Sequence, residues 1–181
     1  MKELLRKSLH LLALLLFPLY EILGKAALMK LIFISLLISL LLEILRIKKG
    51  WLFGFEKLAR ENERKSPGAH IYFLSSSLLI ISLFSKEIAL ASIISFALSD
   101  ASASLIGRSM GKRRIFRKTL EGTLSYFIVS SLIISFFFPL WLSLLSSLLG
   151  SLLELFDVPP NDNFSTPLGV AVLLFIGNSF L

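Results

Sequence analysis

AALMKLIFISLLISLLLEIL, residues 26–45, carries only Lys30 and Glu43 as charges among twenty positions. A helix rises about 1.5 Å per residue, so twenty residues reach about 30 Å, the thickness of a bilayer's hydrocarbon core. Comparable apolar blocks lie on either side of it: Leu9–Leu23, Ala69–Phe84, Ile88–Ile106, Thr123–Leu140, Trp141–Leu155 and Leu168–Leu181. The pattern predicts an all-α, polytopic membrane helical bundle of about seven transmembrane helices, with the chemistry on cytoplasmic loops. Several blocks are about 15 residues long, so those helices must tilt little, thin the bilayer or sit inside the bundle. The Trp141 block follows Pro139 and a short turn, which leaves a re-entrant hairpin arm open as an alternative to a full span.

The rest of the composition agrees. Of 181 residues, 55% are hydrophobic and 17% charged, against about 25% charged in an ordinary soluble domain. Mean hydropathy is +0.82. These values exclude a soluble nucleic-acid binder and a disordered tail, and zero Cys excludes thiolate metal sites, cysteine nucleophiles and a disulfide scaffold. The spans consume most of the chain, so it reads as one integral-membrane domain, residues 1–181, with no separate soluble catalytic unit. Lys2, Arg6 and Lys7 before the first apolar run imitate a secretory signal, but Pro18, Tyr20 and Glu21 stand where a small-residue cleavage site belongs. The first helix is therefore read as retained.

Sixteen of the 19 Lys and Arg residues fall before the first block, between the second and third, or between the fourth and fifth. Lys25, Lys30 and Lys86 remain for the other side. The positive-inside rule places the basic side, and with it the N-terminus and Asp157–Pro167, in the cytoplasm of a cell-membrane protein.

Asp100 is the residue that packing in lipid explains least. It lies about 10 Å before Gly107 along the fourth block. An ionisable group at that depth faces a bundle interior or a watery cavity and has a partner. Asp100, Ala103, Ser104, Gly107 and Gly111 share one helical face that ends in Lys112 and Arg113. Such a stripe either lets two helices approach closely or forms a slot where phosphates meet backbone N–H groups and cations. It is not a P-loop, because three residues rather than four separate the glycines and Arg113 stands where Ser or Thr should be.

Three further groups sit on the same side. In Arg117-Lys118-Thr119-Leu120-Glu121-Gly122-Thr123, Thr119 can cap a helix and Glu121 suits its positive end, while Lys118 is placed to bind an anion. Asp157–Pro167 is rich in turn residues, yet Asp162 and Asn163 offer oxygens suited to magnesium. Arg6 and His10 share a helix face at the lipid–water boundary, and Glu43 and Arg46 are spaced as an ion pair.

Together these stretches resemble the membrane-bound CTP-dependent lipid kinases: dolichol kinase, phytol kinase and the yeast-type diacylglycerol kinase. The matching segments, in order, begin with Glu3-x-x-Arg6-Lys7-x-x-His10 and Gly68-Ala69-x-x-Tyr72-Phe73. They continue with Asp100-x-x-Ala103-x-x-x-Gly107-x-x-x-Gly111-Lys112, Lys118-Thr119-x-Glu121-Gly122 and Asp162-Asn163-x-x-x-Pro167. The family often has an acidic pair before the last Asn, whereas Asn161 precedes Asp162 here. The third and fourth segments are shared with CTP:phosphatidate cytidylyltransferases, whose C-terminal His-Gly-Gly signature is missing.

The resemblance implies a Mg-dependent kinase that phosphorylates the hydroxyl of a membrane lipid alcohol (a polyprenol or dolichol, a phytol-like isoprenol or diacylglycerol) with CTP as donor. Arg6, Ala103, Gly107, Gly111, Lys112, Arg117, Lys118 and Asn163 would then hold the nucleotide. Asp100, Glu121, Asp162 and His10 would be catalytic, with Asp100 and Asp162 as metal ligands. The expected partners are CTP, the lipid alcohol and membrane lipids, with no nucleic acid. Two alternatives stand beside it: a cytidylyltransferase making a CDP-lipid, and a non-enzymatic protein whose basic face binds anionic lipids.

Overall fold

The structure, a computed structural model, describes residues 11–49 and 67–180. A short 3-10 turn (Leu11–Leu15) leads into α1 (Leu16–Lys49), followed by α2 (Ala69–Leu83) and α3 (Lys86–Ser109). A two-stranded hairpin, β1 (Arg114–Ile115) and β2 (Lys118–Thr119), precedes α4 (Leu120–Ile134), α5 (Leu140–Leu155) and α6 (Asp162–Asn178). Apart from that hairpin the described residues are all-α. Two helical stretches, Leu12–Lys48 and Lys86–Ser109, are long and apolar enough to cross a membrane by themselves.

The first two expected blocks form one helical element broken at Gly24. Its backbone (φ 73°, ψ 169°) lies in a region essentially reserved for glycine. The break sits beside the turn between α2 and α3: Lys25 donates to the carbonyls of Ser82 and Phe84, and Glu21 pairs with Lys86. At the far end of α1, Glu43 accepts two hydrogen bonds from Arg46 (2.9 and 2.7 Å) and one from the Gly68 N–H at the start of α2. The segment after Gly24 therefore runs antiparallel to α2. The expected Glu43–Arg46 ion pair is present, and it also caps the next helix.

α3 is the central helix: from Ile88 to Ala97 every residue is buried. It packs against α4 and α6, α5 closes against both of those, and α2 joins α1 to α6. The Trp141 block forms the sixteen-residue helix α5, with Pro139 at its N-cap, where a missing N–H costs nothing.

The surface, unlike that of a water-soluble bundle, is as apolar as the core. The outer face of α1 exposes Leu31, Phe33, Ile34, Leu37, Ile38, Leu41 and Ile44. Inside, serines are prominent: Ser92, Ser95, Ser99, Ser130, Ser143, Ser146, Ser147 and Ser151 are all buried. Small residues let helices approach closely where lipid, not water, is the solvent. Half of these eight hydroxyls are satisfied by their own helix: Ser92 donates to the Ile88 carbonyl, Ser95 to Ser92, Ser143 to Pro139 and Ser151 to Leu148. Two pairs bridge helices, Ser102–Ser125 (2.9 Å) between α3 and α4 and Ser147–Ser130 (3.0 Å) between α5 and α4.

Candidate active site

One end of the bundle collects the C-termini of α3 and α5, the hairpin, and the N-termini of α4 and α6. Between them lies a cavity of about 780 Å³. Asp100, Ala103 and Gly107 line it from α3, Arg114, Arg117 and Lys118 from the hairpin, Glu154 from α5, and Asp162 and Asn163 from α6.

Two helix caps fix the walls. Thr119 accepts from the Gly122 N–H (3.2 Å) and so starts α4; Asn161 accepts from the Asn163 N–H (3.0 Å) and so starts α6. Both caps turn the positive ends of their helices toward the cavity, which favours anions there. The structural readings of Thr119 and of the Asn161 turn are thus realised alongside their position at the cavity.

Lys118 is the hub. Its ammonium lies 2.6 Å from Glu154 Oε1 and 3.1 Å from Asp162 Oδ2, and it also donates to the Glu154 backbone carbonyl. Burial pulls the Lys118 pKa down, but the facing carboxylates Glu154 and Asp162 outweigh it and hold the pKa above the usual lysine value. Asp162 Oδ1 in turn accepts from Asn163 Nδ2 (2.8 Å). Asp100 is 4% exposed, on the opposite wall.

Polar atoms remain unsatisfied. Glu154 Oε2, Asn163 Oδ1, Thr166 Oγ1 and Tyr126 OH are buried without a hydrogen-bond partner among the described residues. Buried polar groups in native proteins are nearly always partnered, so a cluster of orphans marks a place for a ligand or solvent.

Other expected site residues lie elsewhere. Glu121 accepts from the Arg113 N–H through both carboxylate oxygens (3.3 Å each), at the base of the hairpin and outside the cavity lining. Lys112 and Gly111 are exposed and also outside it. Most of the small-residue stripe (Asp100, Ala103, Ser104 and Gly107) lines the cavity, and its glycines also pack closely against the chain itself. A Cβ on Gly107 would meet Thr119 Oγ1 at 2.8 Å, one on Gly111 would meet the Gly107 carbonyl oxygen, and one on Gly122 would meet the Ala103 carbonyl oxygen at 2.8 Å. Close approach of α3 to β2 and α4 is therefore what these glycines provide. Arg6 and His10 lie outside the described residues.

Glu154 escaped the reading of the sequence because it ends an apolar block. The signal was present: an acidic residue in the last turn of an apolar helix asks for a partner, as Asp100 does. The hairpin also escaped it, since Phe116 adopts a left-handed conformation (φ 55°) without a Gly or Asn to announce it.

Comparison with known proteins gives one informative similarity. The chain is 26% identical over 140 residues to the CTP-dependent diacylglycerol kinase 1 of Schizosaccharomyces pombe. The match covers 66% of this chain and 64% of the relative, so the chain spans somewhat less than two thirds of that protein's length. No family model and no solved structure matches the chain.

Proposed function

We propose that this protein transfers the γ-phosphoryl group of CTP to the hydroxyl of a membrane lipid alcohol. The observation that carries the reading is the meeting of Asp100, Lys118 and Asp162, from three separate segments, around one cavity. The similarity to a CTP-dependent diacylglycerol kinase supports the choice of donor and of a lipid acceptor. Phosphoryl transfer asks for positioning and charge neutralisation more than for covalent chemistry, and this cavity offers both.

In this reading all seven apolar blocks belong to the membrane, and the cavity end faces the cytoplasm, where the basic residues gather. Arg114, Arg117 and Lys118, with the N-termini of α4 and α6, hold the triphosphate. Asp100 and Asp162 hold magnesium with Asn163, whose Oδ1 is buried and unpartnered. No group of three or more His, Cys, Asp or Glu side chains among the described residues is placed to hold a metal unaided. That fits magnesium delivered with a nucleotide, which takes one or two carboxylates plus phosphates and water. Bound there, the ion neutralises phosphate charge; the chain's own part is to orient the phosphates with cations and the alcohol with carboxylates.

The test is direct. Purified protein is incubated with magnesium, diacylglycerol, polyprenols and phytol, and CTP labelled at either the α or the γ phosphate. Label from the γ position in lipid is the expected result. Label from the α position, with phosphatidate added, makes the protein a cytidylyltransferase; no label in any lipid leaves a binding protein and refutes the proposal. ATP in parallel tests the choice of nucleotide.

A further inference from the structure

Two of the orphaned polar atoms, Tyr126 OH and Glu154 Oε2, sit on adjacent helices at levels one turn apart. Tyr126 is 0% exposed, on α4 one turn below Gly122, and its ring packs with Phe96 and Ala103 of α3. Its hydroxyl reaches α5 at Gly150, where a Cβ would stand 3.4 Å from it. Glu154 is one turn further along α5, about 6 Å up the helix, and 4% exposed. Its Oε1 is taken by Lys118, while its Oε2 is unpartnered. The charged groups acting on Tyr126 are Glu154, Asp100 and Asp162.

Donor and acceptor counting identifies what fits between them. A tyrosine hydroxyl has a proton to give; an ionised carboxylate oxygen can only accept. A metal ion leaves the tyrosine proton unused, and a phosphate oxygen has nothing to give the carboxylate. A hydroxyl satisfies both, accepting from Tyr126 and donating to Glu154. The surroundings, Phe96 and Ala103 with Phe73 packed against them, are apolar at membrane depth. That suits an alcohol carried on a lipid tail.

We infer that Tyr126 and Glu154 form the subsite for the acceptor hydroxyl, with Glu154 Oε2 as the group that takes its proton. The inference rests on the kinase reading above. As the alcohol oxygen bonds to the γ-phosphorus, its O–H bond breaks and the proton passes to Glu154 Oε2. The bond from the γ-phosphorus to the bridging oxygen breaks and CDP leaves with that electron pair. Lys118, on Oε1 of the same carboxylate, keeps Glu154 aimed until then.

The experiment uses the full chain in lipid nanodiscs, with wild type, Tyr126→Phe, Glu154→Gln and a control, Ser131→Ala, which removes another unpartnered buried hydroxyl from α4. Tyr126→Phe deletes a hydroxyl that has no protein partner, so the fold keeps or gains thermal stability. It is expected to raise KM for the lipid alcohol about three- to tenfold, the worth of one neutral hydrogen bond, with KM for CTP unchanged. Glu154→Gln, which retains an oxygen for Lys118, is expected to lower kcat at least about 100-fold, the usual contribution of a general base, with KM for CTP within about threefold. Ser131→Ala is expected to match wild type. An unchanged alcohol KM in Tyr126→Phe means that the pair holds only water, and overturns the inference. A Glu154→Gln variant defective in CTP binding rather than turnover, or an equal loss in Ser131→Ala, overturns it too. A second readout separates this failure from failure of the kinase reading. Lipid alcohol alone, without nucleotide, should raise the melting temperature of wild type more than that of Tyr126→Phe. If wild type phosphorylates no lipid, the kinase reading has failed, and the stabilisation measurement still decides the subsite.

Discussion

Gly122→Ala adds one methyl group at the backbone contact between α3 and α4 beside the site. The new Cβ would stand 2.8 Å from the Ala103 carbonyl oxygen and 3.4 Å from Gly107 Cα, both backbone atoms, with Thr119 Oγ1 at 3.0 Å. Ordinary contact begins near 3.4 Å, so α3 and α4 must part by about 0.6 Å. Overpacking of this kind costs about 1–3 kcal/mol, of which the better helix propensity of Ala returns up to about 1 kcal/mol. The net loss of stability is small. The larger consequence is geometric, because Asp100 rides on α3 while Lys118 and Thr119 lead into α4. A misplacement near 1 Å costs roughly 100-fold in rate, so Gly122→Ala is expected to fold, insert and lose about 10- to 100-fold in phosphoryl transfer from γ-labelled CTP to lipid. Gly169→Ala on α6 is the matched control. Its Cβ meets only Leu153 Cδ1, at 2.5 Å, the far end of a flexible side chain that can turn aside. Measured side by side in nanodiscs, the control should keep wild-type activity. Full activity in Gly122→Ala, or an equal loss in Gly169→Ala, would refute the claim that the α3–α4 approach sets the site.

Asp100→Asn should abolish lipid phosphorylation while leaving expression, membrane insertion and melting temperature near wild type; normal turnover would remove Asp100 from catalysis. Lys118→Met strands the Glu154 and Asp162 carboxylates, and unfolding measurements should show a loss of about 3–5 kcal/mol, part of which Glu154→Gln restores in the double variant. Lys118 has a folded pKa above its unfolded one, so its ion pairs stabilise fully below about pH 10.4 and fade as pH rises through the folded value. Above that pH the melting temperature of wild type should therefore fall more steeply than that of Lys118→Met. Gly24→Ala meets no atom within 4 Å yet must hold a conformation closed to alanine, so it should cost about 1–3 kcal/mol with activity per folded molecule intact.

The helices were legible because the apolar blocks are long and end at Gly, Pro or charge. The break after Leu23 falls on Gly24, and Pro139 starts α5. The cavity was partly legible. Asp100 stood out as an ionisable group within an apolar run, Lys118 as a cation at a helix start and Asp162 as an oxygen ligand in a turn, and all three line one cavity. What the sequence could not separate was the double meaning of the glycines: a small-residue stripe serves helix contact or ligand approach equally well until the neighbouring backbone is in view. Glu121 shows the same limit, since its value as a first-turn acid gave no sign that it would bind the Arg113 amide instead of facing the cavity. Tyr126 and Glu154 stand 28 positions apart in the chain, and no local pattern relates them.

The serines that bond to their own helix have a bearing on biogenesis. A hydroxyl tied to a carbonyl three or four residues back is satisfied as soon as its helix forms. In the membrane reading proposed above, a segment so satisfied can wait in lipid with fewer polar groups that demand a neighbour. Assembly becomes a later matter of shape: smooth, serine-flecked surfaces sliding together until Lys118 finds its two carboxylates.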